Sequence, residues 1–405
     1  MMPGAGICCC LVAWLLPRSG AALRRGLGSD PDLHVKSWTV DLDLPPLERW
    51  KEITLAYRDQ LPGLLRKISD KVDSESQADG LDRREWLQFH NIDNDYLTEL
   101  VGVVKWANDS EVTLERLVWW NLQYEMVKAH LCTGVLAADK TGKVYHGRNF
   151  DWNVYWNGPD RKLSLEDVAI DVTFTRGGTR VFNAVTFVAM NGVHTGIAYS
   201  GGRSWSFEQN TRHTTNNEHN IAAAKAGGKP YTYVMRSLME RNLDFRSAVK
   251  EVERSRVSAD MYFIMAGSEP WQGAVVTLDS ARHEKSLSNV QVLSPSIGRW
   301  FLVQTNDDVW TEARDTRRPE GVAFISQMGQ QNVNLDNLLV MMRTYPLFNE
   351  ATLLTTMTIP ANNYHRTWLN SETVDIITLE RRKLLMATAG QAAKPILGRD
   401  AWWHD

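Results

Sequence analysis

Cysteine is scarce in this chain of 405 residues: there are four, and three are adjacent at Cys8, Cys9 and Cys10. They lie in an uncharged apolar stretch from Ala5 to Leu16, before the first charged side chain, Arg18, and small residues follow from Ser19 to Ala22. The pattern predicts a signal peptide over residues 1–22, although the usual basic start is missing. Beyond it Cys132 is the only cysteine, so no disulfide within the mature chain is expected. An excess of positive charge is missing too. Forty-five Lys and Arg against forty-eight Asp and Glu give a net charge of -3, which offers no cationic field for a nucleic-acid backbone. After residue 20 no apolar run approaches the roughly 18–20 residues of a membrane-spanning helix. There is no phosphate-binding Gly-rich loop, internal repeat or low-complexity tract, and His213 and His219 fit no common metal spacing. Neither cofactor nor metal is expected.

What remains is a globular composition, 43% hydrophobic and 23% charged, long enough for one large or two ordinary domains. Residues 38–126 predict helices. Leu47, Trp50, Ile53, Tyr57, Leu61, Leu64, Leu65 and Ile68 recur mostly every three or four positions, with Pro62 dividing two helices. Thr113 is an N-cap with Glu115 in the first turn, opening a helix that should end near Ala129. Ser74–Asp82 is a polar loop, and Asn108-Asp109-Ser110 is a glycosylation sequon that fits a secretory route. From Cys132 the period changes. A hairpin is expected at Thr133–Ala138 and Val144–Asn149 around a Gly-containing turn, with strands at 169–176, 180–188 and 192–199. Helices at 231–243 and 245–255 follow, then strands at 261–266, 274–278 and 300–305, a helix at 335–343, and strands at 353–359 and 364–369. This order predicts stacked sheets with helices outside, an α+β fold. The polar segment Glu208–His219 is expected to be a mobile loop or lid. The tail 370–405 has one short helical pattern at 376–386.

The hairpin puts Cys132 in a distinct setting. If the turn centres near Thr141, paired residue numbers sum to about 282, so Cys132 faces Phe150 and is bracketed by Arg148 and Asp151. Alternation sends Arg148 and Asp151 to opposite faces, so the strand is expected to end or bulge near Asn149 if both serve one site. A cation beside sulfur favours thiolate, and a carboxylate can hold an ammonium group. On these residues alone, a buried inert thiol and an ordinary Arg–Asp pair at a strand end stay open.

The run Cys132-Thr133-Gly134 followed by His146-Gly147-Arg148-Asn149-Phe150-Asp151-Trp152 resembles the nucleophile signature of the acid ceramidase and N-acylethanolamine acid amidase family. The resemblance continues at Arg299–Asn306, Trp310 and Asp315–Arg318, and more weakly at Pro46–Trp50 and Tyr124-Glu125. It implies the αββα sandwich of the N-terminal nucleophile hydrolases. It also implies a precursor that cuts its own Leu131–Cys132 bond, leaving a helical α subunit, 23–131, bound to a catalytic β subunit, 132–405, as a heterodimer. Cys132 would be the nucleophile and its freed α-amine the base. Arg148 would orient the sulfur, Asp151 the ammonium, and Asn306 would donate to the oxyanion. Arg317 matches a further polar site residue, with an ion pair to Asp315 as its ordinary alternative. The implied substrate is a fatty-acyl amide lipid, either ceramide or an N-acylethanolamine. Gly298-Arg299-Trp300 and Val303-Gln304-Thr305 stand closer to the ceramidase branch. The expected setting is the secretory pathway, lysosome or extracellular space, and sixteen tryptophans fit contact with a membrane surface.

The chain also departs from the pattern. Thr211 stands where relatives carry a glutamate, Asp307 where an aromatic is usual, and the Asn306 to Arg317 spacing is two residues short. With no second cysteine downstream, an interchain disulfide cannot form. A non-maturing lipid-binding homologue is the reading from another class; a bile-salt-like or penicillin-like amide hydrolase is the other enzymatic one.

Overall fold

The protein is described here from a computed structural model covering residues 35–69, 83–126, 131–152, 165–214, 216–281 and 288–370. The expected signal peptide, the polar loop at 74–82, the end of the helix near Ala129 and the helix at 376–386 lie outside the described residues.

Strand β1 (Lys36–Asp41) precedes helices α1 (Lys51–Ala56), α2 (61–69), α3 (Arg83–Gln88), α4 (Asn94–Ala107), α5 (Leu114–Asn121) and α6 (Gln123–Met126). The hairpin β2 (Thr133–Ala138) and β3 (Val144–Asp151) follows, then β4 (Ala169–Arg176), β5 (Thr179–Phe187), β6 (Thr195–Ser200) and β7 (Arg203–Thr211). Helices α7 (Asn217–Lys225), α8 (Tyr231–Met239) and α9 (Phe245–Glu253) lead to β8 (Met261–Gly267), β9 (Gly273–Leu278), β10 (Ser288–Val292) and β11 (Phe301–Gln304). Helices α10 (Arg317–Met328) and α11 (Leu335–Met342) precede β12 (Thr352–Ile359) and β13 (Tyr364–Leu369).

Two sheets face each other. One has the order β1-β4-β5-β6-β7-β8-β9-β10 and the other β11-β2-β3-β12-β13. Alternation along β8 shows the layering. Tyr262, Ile264 and Ala266 meet Leu136, Ala138 and Val144 of the hairpin between the sheets. Met261, Phe263 and Met265 join the large core with residues of α8, α9 and the upstream helices. Beyond the five-stranded sheet, Val135 and Ala137 pack with Ile325 of α10 and Leu338, Met341 and Met342 of α11. Helix, sheet, sheet and helix therefore form four layers, an αββα sandwich. Each large apolar side chain taken out of water contributes roughly 1.5–3 kcal/mol to it.

The hairpin forms where expected. Asp139 Oδ1 accepts from the Thr141 and Lys143 amides at 2.8 and 3.1 Å, and Gly142 supplies the positive φ of +87° that closes the turn. Thr133 pairs with Asn149, the expected register. The upstream helices also form, and the Thr113 side chain caps α5 by accepting from the Arg116 amide.

Two expectations are corrected, and one helix appears that the sequence pattern does not announce. The upstream region is not wholly helical, because β1 adds to the sheet edge in parallel with β4, Lys36 opposite Ile170. Its partner lies more than a hundred residues away, so no local periodicity announces it. The segment from Glu208 is not a lid: Glu208–Thr211 completes β7, which is buried, and Asn217–Lys225 forms α7. Its polar side chains Glu208, Gln209, Asn210 and Thr211 are buried in β7, whereas polarity alone signals a solvated loop. Helix α10 was not anticipated, since Pro319 and Gly321 interrupt its pattern; Pro319 sits in the first turn, where its missing N–H leaves no helical bond unmade.

The upstream segment is locked to the downstream helix α8 by a buried ion pair. Glu99 of α4 has no exposed surface and accepts from Arg236 of α8 at 2.5 and 2.6 Å, Trp50 Nε1 at 2.8 Å, Asn191 Nδ2 at 2.9 Å and Arg49 Nη1 at 3.0 Å. Burial by itself would raise its pKa; Arg236 and the other donors hold it below the ordinary glutamate value. Replacing Glu99 by Ala leaves the buried Arg236 with only the partly exposed Glu240, 2.9 Å from its Nε, as counter-charge, and should cost about 3 kcal/mol. The loss is measured as a lower urea midpoint at unchanged slope.

Candidate active site

Cys132 lies immediately before β2, an inner strand paired with the central strand β3 of the five-stranded sheet, and is fully buried in the chain. Three groups meet its sulfur. The Tyr124 hydroxyl is 3.1 Å away, Arg148 Nη2 donates at 3.8 Å, and the thiol points to the Asp151 carbonyl at 3.9 Å. The Tyr124 ring packs at 5.2–6.0 Å from Tyr231, Phe150, His194 and Trp152, an aromatic shell that excludes water. Burial pushes the thiol pKa up, while Arg148 pulls it down.

Arg148 is buried on β3, and carbonyls fix its guanidinium. Nη1 donates to His194 O at 2.5 Å and to the Thr195 hydroxyl, Nη2 to Gln209 O at 2.8 Å, and Nε faces Glu208 Oε2 at 3.3 Å. The acceptors come from β7 and from the start of β6, so the opposite sheet aims Arg148 at the sulfur.

Asp151 departs from the expected arrangement. No bulge interrupts β3, which runs unbroken to Asp151; the irregularity is in β12, between Thr352 and Leu354. Alternation is kept, and the Asp151 carboxylate has partners on the other side of the sheet. Thr352 Oγ1 donates to it at 2.7 Å and Asn349 Nδ2 at 3.1 Å. Burial raises its pKa to about 7, against the nearby Arg317.

Arg317, the first residue of α10, joins the two sides. Its Nη1 donates to Cys132 O at 2.8 Å and lies 3.7 Å from Asp151 Oδ2; its Nη2 donates to Asn306 Oδ1 at 2.9 Å and Asp315 Oδ2 at 2.7 Å. Both readings of Arg317 are therefore realised at once. Asn306 uses one of its two amide hydrogens on Thr211 O at 2.7 Å, which leaves the other uncommitted. All five candidate residues, Cys132, Arg148, Asp151, Asn306 and Arg317, thus belong to one connected group.

Thr211 ends β7 with a buried hydroxyl that has no partner among the described residues. Its neighbour Arg212 is held by Asp308 at 2.7 and 2.9 Å and by Asp279 at 2.5 Å. His213 pairs with Asp307 at 2.6 Å and His219 with Asn216 at 2.8 Å, and no group among the described residues could hold a metal ion. The residues not singled out in the sequence were Tyr124, Glu208, His194 and Gln209. Two of them act through backbone carbonyls, which no side-chain motif reveals. Tyr124 carried a signal only in the weaker upstream part of the resemblance, with no role attached.

A family model described as the beta subunit of N-acylethanolamine-hydrolyzing acid amidase matches residues 34–77, in the upstream segment. The N-acylethanolamine-hydrolyzing acid amidase of Rattus norvegicus is 30% identical over 65% of this chain and 68% of its own length. The acid ceramidase of Macaca fascicularis is 27% identical over 79% and 82%. A solved Caenorhabditis elegans N-acylethanolamine-hydrolyzing acid amidase ortholog, 27% identical, superposes with a TM-score of 0.51 over 59% of this chain and 99% of that one. The αββα layers, the sequence around Cys132 and this similarity across both sides of it lead to one conclusion: the chain belongs to the acid ceramidase and N-acylethanolamine-hydrolyzing acid amidase family.

Proposed function

We propose that this protein hydrolyses the amide bond of a fatty-acyl amide lipid, ceramide to sphingosine and fatty acid, after severing its own Leu131–Cys132 bond. The observation that carries the reading is the Cys132 sulfur, held 3.8 Å from a buried guanidinium while Arg317 grips the carbonyl of the same residue. N-acylethanolamine hydrolysis is the second reading, favoured equally by relatives bearing that name.

In the precursor the Cys132 sulfur attacks the Leu131 carbonyl. The C–N bond breaks, the nitrogen takes the proton, and water hydrolyses the thioester to free a Leu131 carboxylate and a Cys132 α-amine. An α-amine has a pKa of roughly 7.7–8.0, so it can accept the thiol proton as general base where a lysine would stay charged. The thiolate attacks the substrate amide, the amine leaves with the proton, and water releases the fatty acid. The spare Asn306 hydrogen meets the developing oxyanion, a role worth roughly 3–4 kcal/mol where one such donor has been removed. The raised pKa of Asp151 supports its part. A carboxyl that burial keeps neutral up to about 7 becomes an anion once an ammonium forms beside it.

The proposal carries the remaining expectations with it. The pieces divide at residues 131 and 132 and stay together as a heterodimer. Asn108, exposed at the end of α4, is glycosylated on the route to the lysosome or the cell exterior. Leu55 of α1 and Val101 of α4 are exposed apolar side chains on the upstream helices and would touch a lipid surface. No helix among the described residues is long and apolar enough to cross a membrane.

Cys132→Ala should leave one uncut chain without turnover, and N-terminal sequencing of the large fragment of active protein should begin at Cys132. A different first residue overturns the reading. Asn306→Ala should lower kcat by on the order of 100-fold or more, with the chain still folded. Arg148 lowers the thiol pKa, so Arg148→Ala should move the rate-against-pH curve toward higher pH. Turnover of ceramide and of an N-acylethanolamine at acid pH decides between the two substrates.

A further inference from the structure

One carboxyl beside this site has no role in the mechanism above. Glu208 of β7 is fully buried between the sheets, and neither oxygen makes a hydrogen bond among the described residues. Its contacts are two nitrogens that themselves lack hydrogen-bond partners there, Arg148 Nε at 3.3 Å and His146 Nε2 at 3.5 Å. The other His146 nitrogen is engaged with the Ser206 hydroxyl at 2.8 Å. Burying a carboxyl group costs several kcal/mol, and a leucine would fill the same volume without that cost. Something other than packing therefore keeps it opposite the guanidinium.

The backbone is built around it. Gly134 pairs directly with Arg148 across the hairpin, and a Cβ placed on Gly134 would lie 1.7 Å from Glu208 Oε1. Gly134 does not have a positive φ, so its requirement is space, and Glu208 occupies that space. Glu208 is no replacement for the glutamate that relatives carry at Thr211. The two are an odd number apart on one strand and point to opposite faces.

We propose that Glu208, seated over Gly134, is a positioning residue that holds Arg148 against the Cys132 sulfur. The guanidinium is gripped on Nη1 and Nη2 by carbonyls of the opposite sheet, and Glu208 is the contact on Nε, at the base of the fork. Burial, offset by Arg148, raises the carboxyl's pKa well above normal, and burial and Arg148 lower that of His146 to about 3, so both groups favour their neutral forms. The consequence for turnover rests on the proposed function; the consequence for the sulfur does not.

The test uses the full chain and four variants: Glu208→Gln, Glu208→Ala, Gly134→Ala and the double Gly134→Ala/Glu208→Ala. The first readout is the rate at which iodoacetamide alkylates Cys132, followed on its peptide by mass spectrometry, which needs no substrate. Glu208→Gln keeps an oxygen facing Nε and should stay within about threefold of the parent, whereas Glu208→Ala should slow by on the order of tenfold, one pKa unit of thiolate. In turnover Glu208→Ala should lower kcat with KM within about twofold, since misplacement by about 1 Å acts on the reacting geometry rather than on binding. Gly134→Ala should slow both rates, because its methyl displaces the carboxyl. The double variant refills the void, so it should recover the thermal unfolding midpoint lost in Glu208→Ala but not the alkylation rate. Alkylation at the parent rate in Glu208→Ala or in the double variant overturns the proposal, and so does Glu208→Gln as slow as Glu208→Ala. The predicted alkylation order in a chain that turns over no fatty-acyl amide supports the placement and counts against the amidase reading.

Discussion

A guanidinium with almost no exposed surface beside a cysteine sulfur is the constraint on which the site depends. An uncompensated charge in that layer would cost several kcal/mol. Arg148 is therefore tolerable only because His194, Thr195 and Gln209 supply acceptors at fixed positions. Those acceptors belong to the eight-stranded sheet or lie at its β6 end, and the sulfur sits just before an inner strand of the five-stranded one. Catalytic geometry is thus a property of how the two sheets are stacked, and the apolar inter-sheet contacts of Leu136, Val144, Ile264 and Val275 are what keep that stacking rigid.

The upstream segment is part of the same construction. Its first strand closes an edge of the large sheet, Glu99 is buried against Arg236, and Glu125 accepts from the Tyr231 amide at the start of α8. Tyr124, one residue earlier, reaches the sulfur itself. If the chain is cut before Cys132, none of these contacts depends on the severed bond. The absence of a covalent link is then offset by a sheet edge, a buried ion pair and a helix terminus, three interactions of different kinds.

The sequence made part of this legible. The hairpin register followed from a turn rich in Asp, Thr and Gly, and it placed Cys132, Arg148 and Asp151 together before any coordinates. The helical periods of the upstream segment and of α8, α9 and α11 were equally clear, and α9 shows the reason most plainly, with Phe245, Ala248 and Val252 buried at helical spacing among more exposed residues. The strands that failed were of another type. In β7 the apolar residues Trp205 and Phe207 alternate with Ser204, Ser206, Glu208 and Asn210, and that is ordinary strand periodicity. It was hidden because polar side chains are taken as solvated, whereas here they line the interior of a sandwich whose site needs them.

The same logic explains why Asp151 was misjudged. A single site seemed to require both Arg148 and Asp151 on one face, hence a bulge. The molecule instead keeps the strand regular and sends a third residue around its end. Arg317 enters from α10, touches the carbonyl of Cys132 and lies near the carboxylate of Asp151, so residues on opposite faces are coupled through the one position that belongs to neither. A residue preceding a strand is free of the pleat, and its carbonyl and sulfur can address different layers. That freedom is a physical reason to expect a nucleophile at the first position before a strand rather than within it.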